Sequence, residues 1–302
     1  MNDHGLDISG FRHLYPFPSR FLDRDGLKYH YLDEGSGEPV LMVHGNPTWS
    51  FYYRSLVQGL SGRYRTIVPD HIGCGLSDKP PATRYGYRLK DRVEDLEALL
   101  DHLELKEKVT LIVHDWGGAI GLAWAVRHPE RVGRLVITNT AAFLPPRGKR
   151  LPWRLRLIRD LRFFAAPAVL LFNAFAGAAL YMAARKKLRR DVKAGLIAPY
   201  NTPANRIATL KFVQDIPLAP GDPSYDLVAG VETKLPLLEG RPMLICWGGR
   251  DFVFDSWYLE EWRRRFPAAE VHVFSAAGHY LLEDEPEETL RRVKDFLARH
   301  PL

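Results

Sequence analysis

A chain of 302 residues is long enough for one large α/β domain with an insertion, and it needs no disulfide staples. Its two cysteines, Cys74 and Cys246, lack metal-ligand spacing and suit a reducing compartment, which makes the cytoplasm the expected location. Forty-two Lys and Arg against 36 Asp and Glu give a net charge of +6, but the bases gather in one region and form no aromatic-interleaved stripe, so nucleic acid is not an expected partner.

In chain order, Met1-Asn2-Asp3-His4-Gly5-Leu6 has no basic head followed by an apolar stretch, so no secretory signal is expected. Arg12 to Pro18 reads as a loop without a role. Leu27 to Asp33 alternates as in an antiparallel hairpin, and Val40 to Val43 and Thr66 to Pro69 read as buried strands. Leu89, Val93, Leu96, Leu100 and Leu103 recur at three- and four-residue spacing, which predicts an amphipathic helix. Strand and helix then alternate through Val109 to Val113, Gly117 to His128, and Leu135 to Thr138. That rhythm predicts a mostly parallel sheet with helices on both faces.

After Thr140 the alternation stops, and it resumes near Pro242. The expected organisation is a core of residues 1–140 and 228–302 with a helical cap at 141–227. Pro145 to Leu151 reads as a loop with no assigned role. Phe163 to Ala184 is almost wholly apolar, flanked by Arg154, Arg156, Arg159 and Arg162 and by Lys186, Lys187, Arg189 and Arg190. By length it matches a membrane span. Pro167, Gly177 and the many alanines favour two packed helices lining a greasy tunnel instead. A third option rests the folded segment on a lipid surface, its basic flanks meeting anionic headgroups.

The chemistry gathers where apolar strands end. Asp115 follows Val109 to His114 and precedes Trp116-Gly117-Gly118, at the sharp turn from strand to helix that carries the nucleophile of a hydrolase elbow. No G-x-S-x-G pentapeptide occurs in the chain. A carboxylate at that position is a poor acyl nucleophile, yet it can displace a leaving group from saturated carbon and form an alkyl ester on the enzyme. As a plain structural residue, Asp115 would cap the following helix. Asp251, after the apolar run Pro242 to Trp247, and His279, after Val271 to Phe274, complete the order nucleophile, acid, base. In a triad, His279 takes a proton from water while Asp251 holds its tautomer. Asn46, in His44-Gly45-Asn46-Pro47-Thr48-Trp49, and Trp116 offer neutral N–H donors for a departing anion. Turn formation before Pro47 and core packing are their structural alternatives. Trp49, Tyr200 and Phe252 are candidates for the substrate pocket, and no cofactor or metal is required.

Together with Pro69-Asp70-His71-Ile72-Gly73-Cys74-Gly75-Leu76-Ser77-Asp78-Lys79-Pro80 and Gly278-His279-Tyr280, these motifs resemble the haloalkane dehalogenase family of the α/β-hydrolase superfamily over nearly the whole chain. The resemblance implies an α/β-hydrolase fold with Asp115 as nucleophile, His279 as base, Asp251 as acid, and Asn46 with Trp116 around the leaving group. In one large branch the acid follows the strand ending near Thr138, where this chain has Asn139, so the third subfamily is implied. Ala198-Pro199-Tyr200-Asn201, Ala204-Asn205-Arg206-Ile207, Phe212 to Leu218 and Cys246-Trp247-Gly248 resemble the β-lactone decarboxylases of bacterial long-chain olefin synthesis more than typical dehalogenases.

The leading expectation is decarboxylative opening of a long-chain cis-β-lactone to an alkene. Haloalkane hydrolysis is the alternative. Epoxide hydrolysis, with Tyr181 or Tyr200 as proton donor, and a non-catalytic hydrolase-fold binding protein rank lower. The expected small-molecule partner is apolar or lipid-like. Peripheral membrane contact, association with an enzyme of the same pathway, and self-association stay open.

Overall fold

The computed structural model describes residues 6–302. The stretch read for a targeting signal therefore lies, up to residue 5, outside the described residues. Eight strands form one sheet: β1 (Arg20–Arg24), β2 (Leu27–Glu34), β3 (Pro39–Val43), β4 (Arg65–Pro69), β5 (Val109–Asp115), β6 (Val132–Thr140), β7 (Met243–Gly248) and β8 (Glu270–Phe274). Their spatial order is β1-β2-β4-β3-β5-β6-β7-β8. The two pairings of β2, with β1 and with β4, are antiparallel, and every later pairing is parallel. The expected hairpin and mostly parallel sheet are both present.

Residues of the central strands alternate between two cores, as the two-residue period of a strand requires. Leu41, Val43, Leu111 and Val113 enter the core on one face, while Val40, Met42 and Ile112 enter the other. Because both faces are covered, β3 and β5 are buried along their whole length and read as continuous apolar runs.

Helices α1 (Arg54–Leu60), α2 (Leu89–His102) and α3 (Trp116–Ala125) fall among the first six strands. The insertion between β6 and β7 carries α4 (Trp153–Asp160), α5 (Arg162–Phe172), α6 (Ala174–Met182), α7 (Arg190–Ile197), α8 (Ile207–Gln214) and α9 (Tyr225–Lys234). The last helices are α10 (Ser256–Arg265), α11 (Leu281–Asp284) and α12 (Pro286–Arg299). Helices α4, α5, α6 and α8 pack on one another, whereas α9 packs against α3.

The apolar stretch Phe163 to Ala184 is two helices broken at Asn173, whose φ of 52° lies in the left-handed region that Asn tolerates better than most residues. They bend by 74°, and no single helix among the described residues is long and apolar enough to cross a membrane.

Candidate active site

The site lies where the parallel strands end, the usual ligand position of an open α/β sheet. Strand β5 runs into Asp115 with a register shift between His114 and Asp115, and Asp115 itself has φ 50° and ψ −127°. Such a strained turn persists only where its surroundings over-determine it. Here they do: the Thr140 hydroxyl donates to the Asp115 carbonyl. A Cβ at Gly117 would overlap the Val43 carbonyl, one at Gly118 the Thr140 hydroxyl, and one at Gly45 the Asp115 carboxylate. Glycine at these three positions lets strand, turn and helix close around the carboxylate. Asp115 occupies the N-cap position of α3, but its side chain makes no capping hydrogen bond there.

The three residues expected to form a triad converge. His279 Nε2 stands 3.6 Å from Asp115 Oδ2, and its Nδ1 is 2.7 Å from Asp251 Oδ2. Asp251 Oδ1 accepts the backbone N–H groups of Val253 and Phe254 at 2.7 and 3.2 Å. His114 donates through Nε2 to the His279 carbonyl at 2.8 Å, which fixes the loop carrying the base. All three triad side chains are nearly inaccessible to solvent.

Burial is the chief influence on Asp115 and raises its pKa above the ordinary carboxylate value. The His279 imidazole and the N–H groups of Asn46 and Trp116 oppose that rise without cancelling it. For His279, burial pulls the imidazole down, but the Asp251 carboxylate beside Nδ1, helped by Asp115, outweighs burial and leaves the net shift upward. Burial pushes His44 down to about 4, so it is neutral in the physiological range. It donates from Nδ1 to the Gly45 carbonyl and accepts the His71 N–H at Nε2. A neutral His44 brings no cation to compete for Asp115.

The predicted anion donors surround Asp115, with a division of labour the sequence did not reveal. The Asn46 backbone N–H donates to Asp115 Oδ1 at 2.6 Å. Its side-chain amide donates to the Thr209 carbonyl of α8 at 3.0 Å, leaving one amide hydrogen unengaged. Trp116 is half-buried, with its ring 5.4 Å from Phe212. Among the described residues its indole N–H has no protein acceptor.

A cavity of about 270 Å³ opens above the triad. Asn46, Asp115, Trp116, Phe252, Tyr258 and His279 line its side toward the sheet, and Leu155, Ile158, Phe175, Ala178, Met182 and Val213 extend its wall into the helical insertion. The wall is almost wholly apolar, as a binding site for a hydrocarbon chain should be. Phe252 lies where expected.

Two expected pocket residues do not. Trp49 is fully buried, stacked on Phe51, with its indole N–H bound to the Gly195 carbonyl at 3.0 Å. Tyr200 is also fully buried, with its hydroxyl 3.5 Å from the Thr48 carbonyl. Trp49 ties the sheet side to the insertion through Gly195, and the Tyr200 hydroxyl lies between the Thr48 carbonyl and the Cys74 thiol, so neither faces the cavity. Nor does exposed Tyr181, which leaves both cap tyrosines proposed for epoxide opening away from the cavity. The tunnel expectation needs a similar correction. Among the described side chains, those of α6 line the cavity and none of α5 does, while Pro145 and Leu151, from the loop given no role, do.

Asn139 is the residue whose role sequence reasoning missed. Its side chain donates to Asp251 Oδ2 at 3.0 Å and to the Gly248 carbonyl at 3.1 Å, and it accepts the Gly248 N–H at 2.7 Å. It therefore holds the acid that another branch of the family would carry in its place. The available signal was the empty acid position itself, an amide on a strand end facing a carboxylate on the next strand.

Comparison with known proteins agrees with this architecture. Residues 38–286 match the α/β-hydrolase fold family model. The chain is 52% identical to the cis-3-alkyl-4-alkyloxetan-2-one decarboxylase of Shewanella oneidensis, covering 94% of this chain and 90% of that protein. The decarboxylase of the same name from Xanthomonas campestris pv. campestris is 46% identical, with 95% and 98% covered. A haloalkane dehalogenase of Mycolicibacterium paratuberculosis is 33% identical, with 92% of each covered. Among solved structures, the haloalkane dehalogenase DatA from Agrobacterium tumefaciens C58 superposes with a TM-score of 0.83 at 27% identity, over 93% of this chain and 96% of that one. The chain belongs to the α/β-hydrolase fold family, within the group that unites these decarboxylases and the haloalkane dehalogenases.

Proposed function

We propose that this protein opens cis-3,4-dialkyl β-lactones and releases an alkene and CO2, with Asp115 as nucleophile. The observation that carries the proposal is a carboxylate, in place of a hydroxyl, on the elbow beneath an apolar cavity. Identity of 52% and 46% to proteins named cis-3-alkyl-4-alkyloxetan-2-one decarboxylase selects the lactone as the electrophile.

An Asp115 oxygen attacks the ring carbon bearing the lactone oxygen from the side opposite that oxygen. The C–O bond breaks, an Asp115 ester forms, and the lactone oxygen leaves as part of a carboxylate. The Trp116 indole N–H and the free amide hydrogen of Asn46 stabilise that carboxylate as it forms. Back-side attack leaves the new C–O bond anti to the carboxylate without rotation about the carbon–carbon bond. Electrons of the bond to the carboxylate then become the double bond while the ester C–O bond breaks. CO2 departs, Asp115 is restored as a carboxylate, and the two alkyl groups remain cis. Neither water nor a net proton enters this cycle.

Haloalkane hydrolysis is the second reading. It is favoured by the complete His279–Asp251 dyad, because hydrolysis of the ester needs a base to activate water and the lactone cycle does not. Supplying purified protein with a cis-dialkyl β-lactone and, separately, a 1-bromoalkane separates the two. Alkene formation is the expected result. Rapid bromide release with an inert lactone would reverse the assignment.

A further inference from the structure

We propose that the outward side of α4–α6 is a docking surface for an anionic lipid bilayer, from which the cavity draws its alkyl substrate. The surface rests on three independent observations.

The first is charge. Residues 141–200 hold thirteen Lys and Arg against only Asp160 and Asp191, a formal +11 in a chain whose whole net charge is +6. The remainder of the chain is therefore net negative, and the positive field belongs to this one region. Arg147, Arg150, Lys187 and Arg190 are exposed and have no acidic partner among the described residues. Cations left unpaired beside one surface favour a polyanionic partner.

The second is apolar exposure. Trp153 is 69% exposed, Phe164 82% and Phe172 79%, while Leu157 and Leu171 are also open to solvent. Charged residues would ordinarily occupy such positions. A cluster of large apolar side chains with a basic rim is the composition of a helix lying in the interfacial plane of a membrane.

The third is placement. Helices α4 and α6 have their opposite sides in the cavity wall: Leu155 and Ile158 face inward where Trp153 and Leu157 face out, and Met182 faces inward beside exposed Tyr181. One thin layer of helix thus separates the cavity from the apolar surface. At about 1.5 Å per residue, α5 and α6 are each far shorter than the roughly 30 Å of a bilayer's hydrocarbon, and their 74° bend prevents one straight span, so they suit a surface and not a crossing. A second copy of this chain is a poorer occupant, since a two-fold interface through this region would set one strongly cationic face against its equal.

The proposal borrows from the lactone assignment only the identity of the substrate, and its test reads binding without turnover, so either can fail alone. Full-length protein is floated with vesicles of phosphatidylcholine, and with phosphatidylcholine–phosphatidylglycerol vesicles, at low and high salt. Binding is expected only to the anionic vesicles and should weaken with salt. Reversing Arg150, Lys187 and Arg190 together to Glu should lower partitioning by about tenfold or more, on a scale of about fivefold per lost cation. The triple variant Trp153→Ser, Phe164→Ser, Phe172→Ser should lower it comparably. Melting curves check that each variant folds, and the charge variant stands in should the serine variant fail. Absence of binding to anionic vesicles, or binding that both folded variants retain, would overturn the proposal. So would a concentration-dependent dimer, seen by sedimentation velocity, that the variants dissociate while vesicles go unbound.

Discussion

The elbow and the outer helices of the insertion are built on opposite plans. At the elbow, positions are set by backbone: the Asp115 turn is pinned by Thr140 and three glycines, and Asp251 is held by Asn139 and by two backbone N–H groups. In α4 to α6 the outward side instead carries large apolar side chains open to water, among them Trp153, Leu157, Phe164, Leu171, Phe172 and Tyr181. The contrast teaches where tolerance to change should lie. Chemistry should fail at single-atom changes in the first region, and the second should tolerate them and tune what enters.

The most severe test of that contrast is Asp115→Asn. Turnover should fall by about a thousandfold or more, because the nucleophile is gone. Stability should not fall with it. The Asp115 carboxyl titrates above its ordinary value, so its ionised form costs folding free energy once pH exceeds that raised value; Asn removes this cost. A melting temperature no lower than that of the parent, with activity lost, is the expected pair of results.

Trp116→Phe keeps the ring against Phe212 but deletes the N–H. The rate should fall by about a hundredfold, the scale of one lost anion donor. Asn139→Ala should cost about 2–4 kcal/mol, since it strands the Gly248 N–H and one Asp251 lone pair. Activity should drop by about tenfold through a loosened His279, and a changed pH profile would distinguish that from simple destabilisation.

pH sharpens the contrast between substrates. Lactone opening needs ionised Asp115 and should decline on acidification through a pKa above the usual carboxylate range. Bromide turnover also needs neutral His279. Since that imidazole titrates above its ordinary value, hydrolysis should be lost as pH falls through a higher window, one that leaves alkene formation intact. Coincident profiles for the two products would contradict the water-free cycle. The smallest effect is expected for Tyr200→Phe, within about twofold in rate, because its hydroxyl reaches the Thr48 carbonyl at 3.5 Å and the Cys74 thiol, both away from the cavity. A large loss there would break the division between the two regions.

The elbow was legible in the sequence because each proposed catalytic side chain follows an apolar strand, and parallel strands deliver their ends to one edge. Asp115, Asp251 and His279 could be placed by counting strands, and the structure brings them together. The insertion resisted the same treatment. An apolar residue near a motif reads alike whether it faces a cavity, a core or solvent, so the sequence offers Trp49 and Tyr200 as pocket residues although both are structural anchors. The run from Phe163 to Ala184 hid a second ambiguity. Composition showed two helices, but only the left-handed break at Asn173 turns α6 to the cavity while the described side chains of α5 stay outside it.

The bond from the Asn46 amide to the Thr209 carbonyl couples specificity to chemistry. Whatever lid covers this sheet also orients the donor that the proposed mechanism uses at the moment of bond cleavage. Grafting the roof of a relative onto the chain would thus reset rate as well as selectivity, unless the transplant offered a carbonyl in the same spot.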